Sequence, residues 1–144
     1  MVGDTIRERG AAVPAIEGRV RELIEAKNFA HVGTVREDGT VLVVPVWVHT
    51  DGEHVLLNSA EGRAWPANLR RTGTITVTVT NHENPYEFTS ITGSLALDTH
   101  EGADEHINEL SKKYIGQDEY PFRQPGEQRV KFAISPDRVK LHGS

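Results

Sequence analysis

The sequence contains no cysteine, which excludes disulfides, thiolate metal sites and a cysteine nucleophile. It has no run of about 20 apolar residues, the length that a membrane-spanning helix requires. Basic residues are a minority, because 16 Lys and Arg stand against 21 Asp and Glu and give a net charge of −5. Such a chain offers no basic field for nucleic acid. These absences predict a cytoplasmic protein that binds neither membrane nor nucleic acid.

Motifs for hydrolytic and metal-dependent chemistry are also missing. The seven histidines show no HExxH pattern, no i,i+4 pairing and no carboxylate partners at metal-ligand spacing. No serine stands in a GxSxG setting, and there is no Walker loop or dinucleotide-type glycine motif. The sequence therefore predicts neither a metal site nor a hydrolase.

What is present is the pattern of a single domain. At 144 residues the chain is long enough for one hydrophobic core. Residues 1–12 are polar and contain glycine, which predicts a flexible N-terminal arm, and residues 13–144 then form the domain. Apolar residues recur at helical spacing from Val13, and they predict an amphipathic helix that ends near Ala26.

The remainder is mainly β in character. The runs Phe29–Arg36 and Thr40–His49 are joined by an Asp-Gly hairpin signal, and a second Asp-Gly turn leads to Glu53–Ser59. These runs predict three antiparallel strands in a row. Thr74–Thr80 alternates between apolar and threonine positions, as a strand with one buried face does. A longer strand follows at about residues 86–98, where Gly93 indicates a bulge.

Two further helices and two last strands complete the pattern. Residues 62–73 predict a short helix with Pro66 in its first turn and Gly73 at its exit. Apolar spacing from residue 103 to 114 predicts another helix, followed by a loop over residues 115–126. Strands are expected at residues 130–134 and 138–141. The whole predicts a mainly β fold with flanking helices, a small antiparallel barrel.

One segment, residues 58–71, gathers amide, hydroxyl and guanidinium side chains around the end of a strand and the start of a short helix. Backbone N–H groups at a helix start, with the nearby Arg63, suit a phosphate group. The alternative is that Arg63, Arg70 and Arg71 are ordinary solvated helix charges. Residue types and spacing leave both interpretations open.

Trp47 and Trp65 are the only tryptophans. Trp47 is expected in mid-strand on the face of Val43 and Pro45, where core packing is the favoured interpretation. A proline within the run predicts an edge strand or a bulge at Pro45. Such a break would free the backbone groups of residues 44–47 for the edge of a planar ligand.

Several motifs, in this order, resemble the pyridoxamine 5'-phosphate oxidase-like superfamily. Its opening strands are similar to residues 29–35 (FAHVGTV), 38–39 (DG) and 44–47 (VPVW). Residues 59–64 (SAEGRA) with 68–71 (NLRR) resemble the cofactor-phosphate segment of its actinobacterial branch, the F420-dependent flavin/deazaflavin oxidoreductases. Residues 83–88 (ENPYEF) and 125–127 (PGE) resemble that branch too.

The resemblance implies an FMN-binding type of split β-barrel that forms a homodimer, with two cofactor sites between the subunits. Residues that match by position would border the ring (Pro45, Val46, Trp47) or line its edge and polyol (Asn58, Ser59, Ala60). Others would hold the phosphate (Arg63, Ala64), brace that loop (Asn68) or close the pocket from the partner subunit (Tyr86, Phe88).

One position departs from the family pattern. Relatives that bind F420 usually have a lysine two residues after the arginine that matches Arg63, and Trp65 stands there instead. An indole cannot supply the charge of an ammonium group. Either Arg70 or Arg71 compensates, or Trp65 stacks on a ring, or the pocket binds a different ligand.

The function implied is that of an F420-dependent oxidoreductase, which transfers a hydride between the reduced deazaflavin and a small planar or conjugated substrate. The cofactor carries this chemistry, so no obligatory catalytic residue is expected. Ser59 and Tyr86 are the candidates for supplying the accompanying proton. The alternatives are an FMN-dependent oxidoreductase of the same fold and a non-catalytic barrel that binds a flavin, a haem or another ligand.

Overall fold

The computed structural model describes residues 14–143, so the predicted arm at residues 1–12 and the predicted helix start at Val13 lie outside the described residues. Three helices flank seven strands, which confirms the mainly β class. The elements in chain order are α1 (Gly18–Glu25), β1 (Ala30–Val35), β2 (Val41–Val46), β3 (His49–Thr50), β4 (Val55–Ala60), α2 (Ala64–Thr72), β5 (Thr74–Thr80), β6 (Phe88–Thr99), α3 (Ala103–Ile115) and β7 (Arg129–His142).

All seven strands belong to one antiparallel sheet, in the order β2-β1-β5-β6-β7-β4-β3. The two edge strands, β2 and β3, are consecutive in the chain and are separated only by Trp47 and Val48. Since three peptide steps reach at most about 11 Å, the two edges must lie close together. The sheet is therefore curled into a half-barrel.

The expected row of three strands is wrong, although both of its hairpins are confirmed. β1 pairs with β2, and β3 pairs with β4, but the run from Thr40 to His49 breaks after Val46. The backbone of Val48 is bonded by α3 side chains instead of a strand, because its N–H donates to Tyr114 Oη (3.2 Å) and its carbonyl accepts from Lys113 Nζ (2.7 Å). The chain thus crosses here from one edge of the sheet to the other.

Other boundaries follow the pattern with two corrections. α1 begins at Gly18, later than expected, because Glu17 is extended with φ −146°. The two expected C-terminal strands are one 14-residue strand, β7. Its bulge lies opposite Gly93, as predicted, since Gly93 pairs with Pro136 and the next residue of β6 towards the N-terminus pairs with Arg138. A Cβ at Gly93 would lie 2.5 Å from a methyl carbon of Ile134, so the bulge requires glycine.

The core fills the concave sheet with alternate strand residues and one face of each of α1 and α2. The apolar positions of β5 are fully buried, whereas its threonines are exposed or half-buried, as the alternation predicts. Pro45 lies on edge strand β2, which confirms the expectation for that proline. None of the helices within residues 14–143 is long and apolar enough to cross a membrane.

Candidate functional site

A cavity of about 470 Å³ opens beside the crossing between the two sheet edges. Its walls come from β2, the end of β4, the start of α2, α3 and the loop before β7. Seven of the residues predicted for the cofactor line it, namely Pro45, Val46, Trp47, Asn58, Arg63, Ala64 and Trp65. The fold thus brings together segments that are up to 20 positions apart in the sequence and that the resemblance assigns to one site.

Three predicted residues lie close in sequence but do not line the cavity. Ser59 is buried with an Oγ that has no partner among residues 14–143, because it faces the opposite side of β4 from Asn58. Ala60 is buried at the end of that strand. Asn68 braces α2 against β1, since its Nδ2 donates to Thr34 Oγ1 at 3.2 Å.

Tyr86 and Phe88, predicted to reach the pocket of the partner subunit, do not line the cavity of their own chain. Tyr86 projects from the β5–β6 turn with 81% of its surface exposed. The ring of Phe88 stacks on His142 with centroids 4.4 Å apart. Their assignment to a partner's site stays a prediction.

One wall of the cavity is a buried polar network that the sequence prediction missed. Arg129 lies inside this wall, where its Nε donates to Asn58 Oδ1 (3.0 Å) and its Nη1 donates to Glu127 Oε2 (2.9 Å). Asn58 in turn donates from Nδ2 to the Ala103 carbonyl and to His106 Nδ1, both at 3.0 Å. The network therefore fixes a guanidinium group at the cavity surface. We call Asn58, His106, Glu127 and Arg129 the polar wall.

His106 is the neutral member of this wall. Burial, with smaller effects from the nearby charges of Lys131, His49 and Arg129, lowers the pKa of His106 to about 3. Its Nδ1 accepts the hydrogen bond from Asn58, so the proton lies on Nε2. That Nε2 is buried and has no partner within residues 14–143.

A phosphate-sized corner lies where α2 begins. Arg63 precedes the helix with an extended backbone, and its side chain is half exposed beside the cavity. The first N–H groups of a helix, here those of Ala64 and Trp65, have no intrahelical acceptor. Pro66 has no N–H group to leave unsatisfied. The corner thus offers a guanidinium and two backbone donors to an anion.

Neither Arg70 nor Arg71 adds to that corner. Arg70 is held by Glu61 (2.8 Å) and Asp98 (2.7 Å), and Arg71 donates to Asn68 Oδ1 and to the Val35 carbonyl. Neither lines the cavity, so the expected compensation for the missing lysine does not come from them within one chain. Trp65 is buried beside Phe132, with centroids 5.5 Å apart, and contributes an apolar surface.

The opposite wall is aromatic and partly exposed. Trp47 stacks on Tyr114 (centroids 5.3 Å apart) and meets the edge of Tyr120 (6.0 Å). Phe29 stacks on the other side of Tyr114 (5.6 Å), and Phe122 extends the row beyond Tyr120 (5.7 Å). Trp47 is therefore not a core residue, as its position had suggested, but one element of a row of rings. We call these five residues the aromatic wall.

Tyr114 anchors the aromatic wall to the backbone. Its hydroxyl donates to the Asn28 carbonyl at 2.7 Å, and burial raises the pKa of Tyr114 to about 12. The neutral phenol is thus retained throughout the physiological range. The sequence prediction missed Tyr114 and Tyr120 as site residues because each reaches the site only through the packing of α3 and the following loop.

Comparison with known proteins places this geometry. The profile of the family described as pyridoxamine 5'-phosphate oxidase matches residues 16–143. No curated protein matches the sequence.

Solved structures share the fold at low sequence identity. An F420 reductase superposes with a TM-score of 0.73 at 23% identity, covering 83% of this chain and 94% of the other. A FAD- and haem-binding protein from Mycobacterium smegmatis gives 0.65 at 17%, covering 88% and 70%. HupZ of Group A Streptococcus gives 0.63 at 18%, covering 85% and 90%.

The family profile spans nearly all of the described chain, and its fold is that of the curled sheet described above. The half-barrel, the cavity beside its crossing and the order of motifs agree with this match. The chain belongs to the pyridoxamine 5'-phosphate oxidase family and has its split-barrel fold.

Proposed function

We propose that this protein is an F420-dependent oxidoreductase, which transfers a hydride in the cytoplasm between the reduced deazaflavin and a small planar or conjugated substrate. The observation that carries the proposal is one cavity with an aromatic wall at one side and Arg63 with the α2 N-terminus at the other. A planar ring suits the first surface and a phosphate suits the second. The likeness of the fold to an F420 reductase adds support.

The residues present fit a flavin-type group. Pro45, Val46 and Trp47 would border the ring, and Arg63 with the N–H of Ala64 would hold the phosphate. Trp65 offers an apolar surface below the tail. When bound, the cofactor supplies the hydride chemistry, while the chain binds, orients and excludes water.

The proton that accompanies hydride transfer has no donor assigned by one chain alone. Ser59 faces away from the cavity, so a role for it would require the side chain to act through a neighbour. Tyr86 is exposed and would have to act in the partner's site. We therefore keep Tyr86 as the better of the two candidates.

We also propose that the chain acts as a homodimer. Edge strand β2 has no second strand partner in the described chain, and Val41 and Val43 leave 56% and 58% of their surface exposed there. An apolar, unpaired edge beside a cavity is a surface that a second copy can cover. Sedimentation equilibrium should give twice the mass of 16.0 kDa, and a monomer would contradict the proposal.

An FMN-dependent enzyme and a non-catalytic binding protein remain the alternatives. The buried, uncharged Trp65 favours a ligand that needs only one phosphate contact, as FMN does. The second alternative is favoured by the fold's likeness to a FAD- and haem-binding protein. No histidine of residues 14–143 lines the cavity, so the cavity itself does not favour haem.

Parallel titration of the purified apo-protein with F420 and FMN, followed by tryptophan fluorescence, tests the proposal. Trp47 and Trp65 both line the cavity, so a bound ring should quench them. Micromolar or tighter binding of F420, with FMN clearly weaker, is the expected result. Tighter FMN binding would favour the flavin enzyme, and binding without reductant-linked turnover would favour the non-catalytic protein.

Replacement of Arg63 by alanine tests the phosphate corner. A charge-assisted hydrogen bond is lost, so binding should weaken by about 1.5–3 kcal/mol, roughly 10- to 150-fold in Kd. Arg138→Ala removes an exposed arginine that does not line the cavity and should leave Kd unchanged. An unchanged Kd for Arg63→Ala would remove Arg63 from the phosphate site.

A further inference from the structure

Glu127 lies behind both arginines of the cavity. Its Oε2 accepts from Arg129 Nη1 at 2.9 Å, and its Oε1 lies 4.0 Å from Arg63 Nη2. Only 7% of the side chain is exposed, and Glu127 itself does not line the cavity. It therefore acts on a ligand only through the charge of the arginines in front of it.

The charges around the cavity can be counted. Arg63 and Arg129 are the two charged side chains of residues 14–143 that line it, and Glu127 neutralises one of them. The site accordingly offers one uncompensated positive charge. A buried charge without a partner is costly, so an anion with one charge is matched by this site and an anion with two is not.

Local rigidity keeps this balance fixed. Arg129 is buried, and Asn58 holds its Nε at 3.0 Å, so the guanidinium cannot leave Glu127 for a ligand. The loop that carries Glu127 is tied to the β4–α2 connection, because the Glu61 N–H donates to the Gln128 carbonyl at 2.9 Å. Binding must therefore adapt to the charge that the site already has.

Phosphate esters differ in this charge. A phosphate monoester carries about 1.5 to 2 negative charges at pH 7, because its second pKa is about 6, whereas a diester carries one. Resting on the proposed function, we infer that Glu127 is a specificity-determining residue that makes the cavity prefer a ring with a phosphodiester tail over the same ring with a phosphomonoester tail.

Calorimetric titration of the intact wild-type protein with matched ligands tests this inference. The deazaflavin series comprises deazariboflavin, its 5'-phosphate and the methyl ester of that phosphate, and riboflavin, FMN and FMN methyl ester form a parallel series. Within a series the ring and ribityl chain are constant and only the phosphate charge changes. We expect the methyl ester to bind about tenfold more tightly than the monoester, as one unmatched charge near the surface predicts.

Glu127→Gln removes the charge while its amide oxygen can still accept from Arg129. The preference for the diester should shrink about tenfold, with the phosphate-free ring unchanged within about twofold. Glu127→Asp should keep the wild-type preference. Glu53→Gln, an exposed turn residue that does not line the cavity, makes the same change in net charge and should have no effect.

Two failures can be told apart. If neither phosphate-free ring nor its esters bind to the wild-type protein, the proposed function fails, and this inference fails with it. If the rings bind but the monoester is equal or tighter in the wild-type protein, or if Glu127→Gln and Glu53→Gln give the same preference, only the inference is overturned. The wild-type measurement decides the matter even if Glu127→Gln does not fold.

Discussion

The two walls of the cavity hold their side chains by different means. The polar wall is buried, and nearly every donor and acceptor in it is used by another residue of the wall. The aromatic wall is held by ring contacts, and Phe29 and Phe122 leave more than half of their surface exposed. Hydrogen bonds have strict geometry, whereas ring contacts tolerate displacement. The first wall can therefore select a ligand, and the second can adapt to one.

The largest expected effect comes from breaking the polar wall at its centre. Asn58→Leu removes the partner of Arg129 Nε, His106 Nδ1 and the Ala103 carbonyl at once. Unfolding in urea should show a loss of about 3 kcal/mol or more, since a buried charge then lacks a partner. Gln117→Ala removes an exposed amide and should change stability by less than about 0.5 kcal/mol. A loss below about 1 kcal/mol for Asn58→Leu would contradict the network.

The next effect distinguishes the walls by pH. The pKa of His106 is about 3 in the folded protein and 6.5 for the ordinary side chain, so between these values the unfolded chain binds more protons. Stability must therefore fall as the pH drops below 6.5, by about 2 kcal/mol between pH 7 and pH 5. The same wall contains no second histidine, and no titratable group of the aromatic wall has a shift that falls in this interval.

Urea unfolding of the wild-type protein and His106→Gln at pH 7 and pH 5 measures this term. Glutamine can still accept from Asn58 but does not titrate, so the variant should lose about 2 kcal/mol less on acidification. The pKa of His49 is also lowered by burial, but His49 is present in both proteins and cancels in the difference. The pKa values of Glu61 and Glu87 lie near 2, so their stabilisation is lost only below about pH 4.5. Equal slopes would mean that His106 is not held neutral.

The smallest effect is expected at the aromatic wall. Trp47→Ala removes one stacked and one edge contact at a half-exposed position, and should cost about 1.5 kcal/mol of stability. Trp47→Phe keeps a ring and should recover most of that loss. Thermal unfolding measures both, and a loss for Trp47→Ala as large as that for Asn58→Leu would show that the two walls do not differ in this way.

The sequence predicted what local patterns control. The period of β5, the turn glycines and the spacing of α2 and α3 depend on neighbouring residues, and these elements are confirmed. The order of motifs from residue 29 to 71 also indicated which segments meet at the cavity. Seven of the predicted residues do line it.

What the sequence could not predict depends on distant contacts. The break after Val46 exists because α3 side chains bond Val48 from 65 and 66 positions away. Arg129 looks like an ordinary charged strand end, since its partner Asn58 is 71 positions earlier. An arginine directly before the apolar alternation of residues 130–134 was the one local signal available.

The crossing between the sheet edges also has a consequence for folding kinetics. Trp47 and Val48 can take their place only when α3 has docked, because Lys113 and Tyr114 supply the hydrogen bonds of that link. Closing such a long loop costs chain entropy before its contacts compensate, and topologies of this kind fold slowly. Barrel closure and cavity formation are thus one late kinetic event, and a chain stalled before it has strands but no binding site.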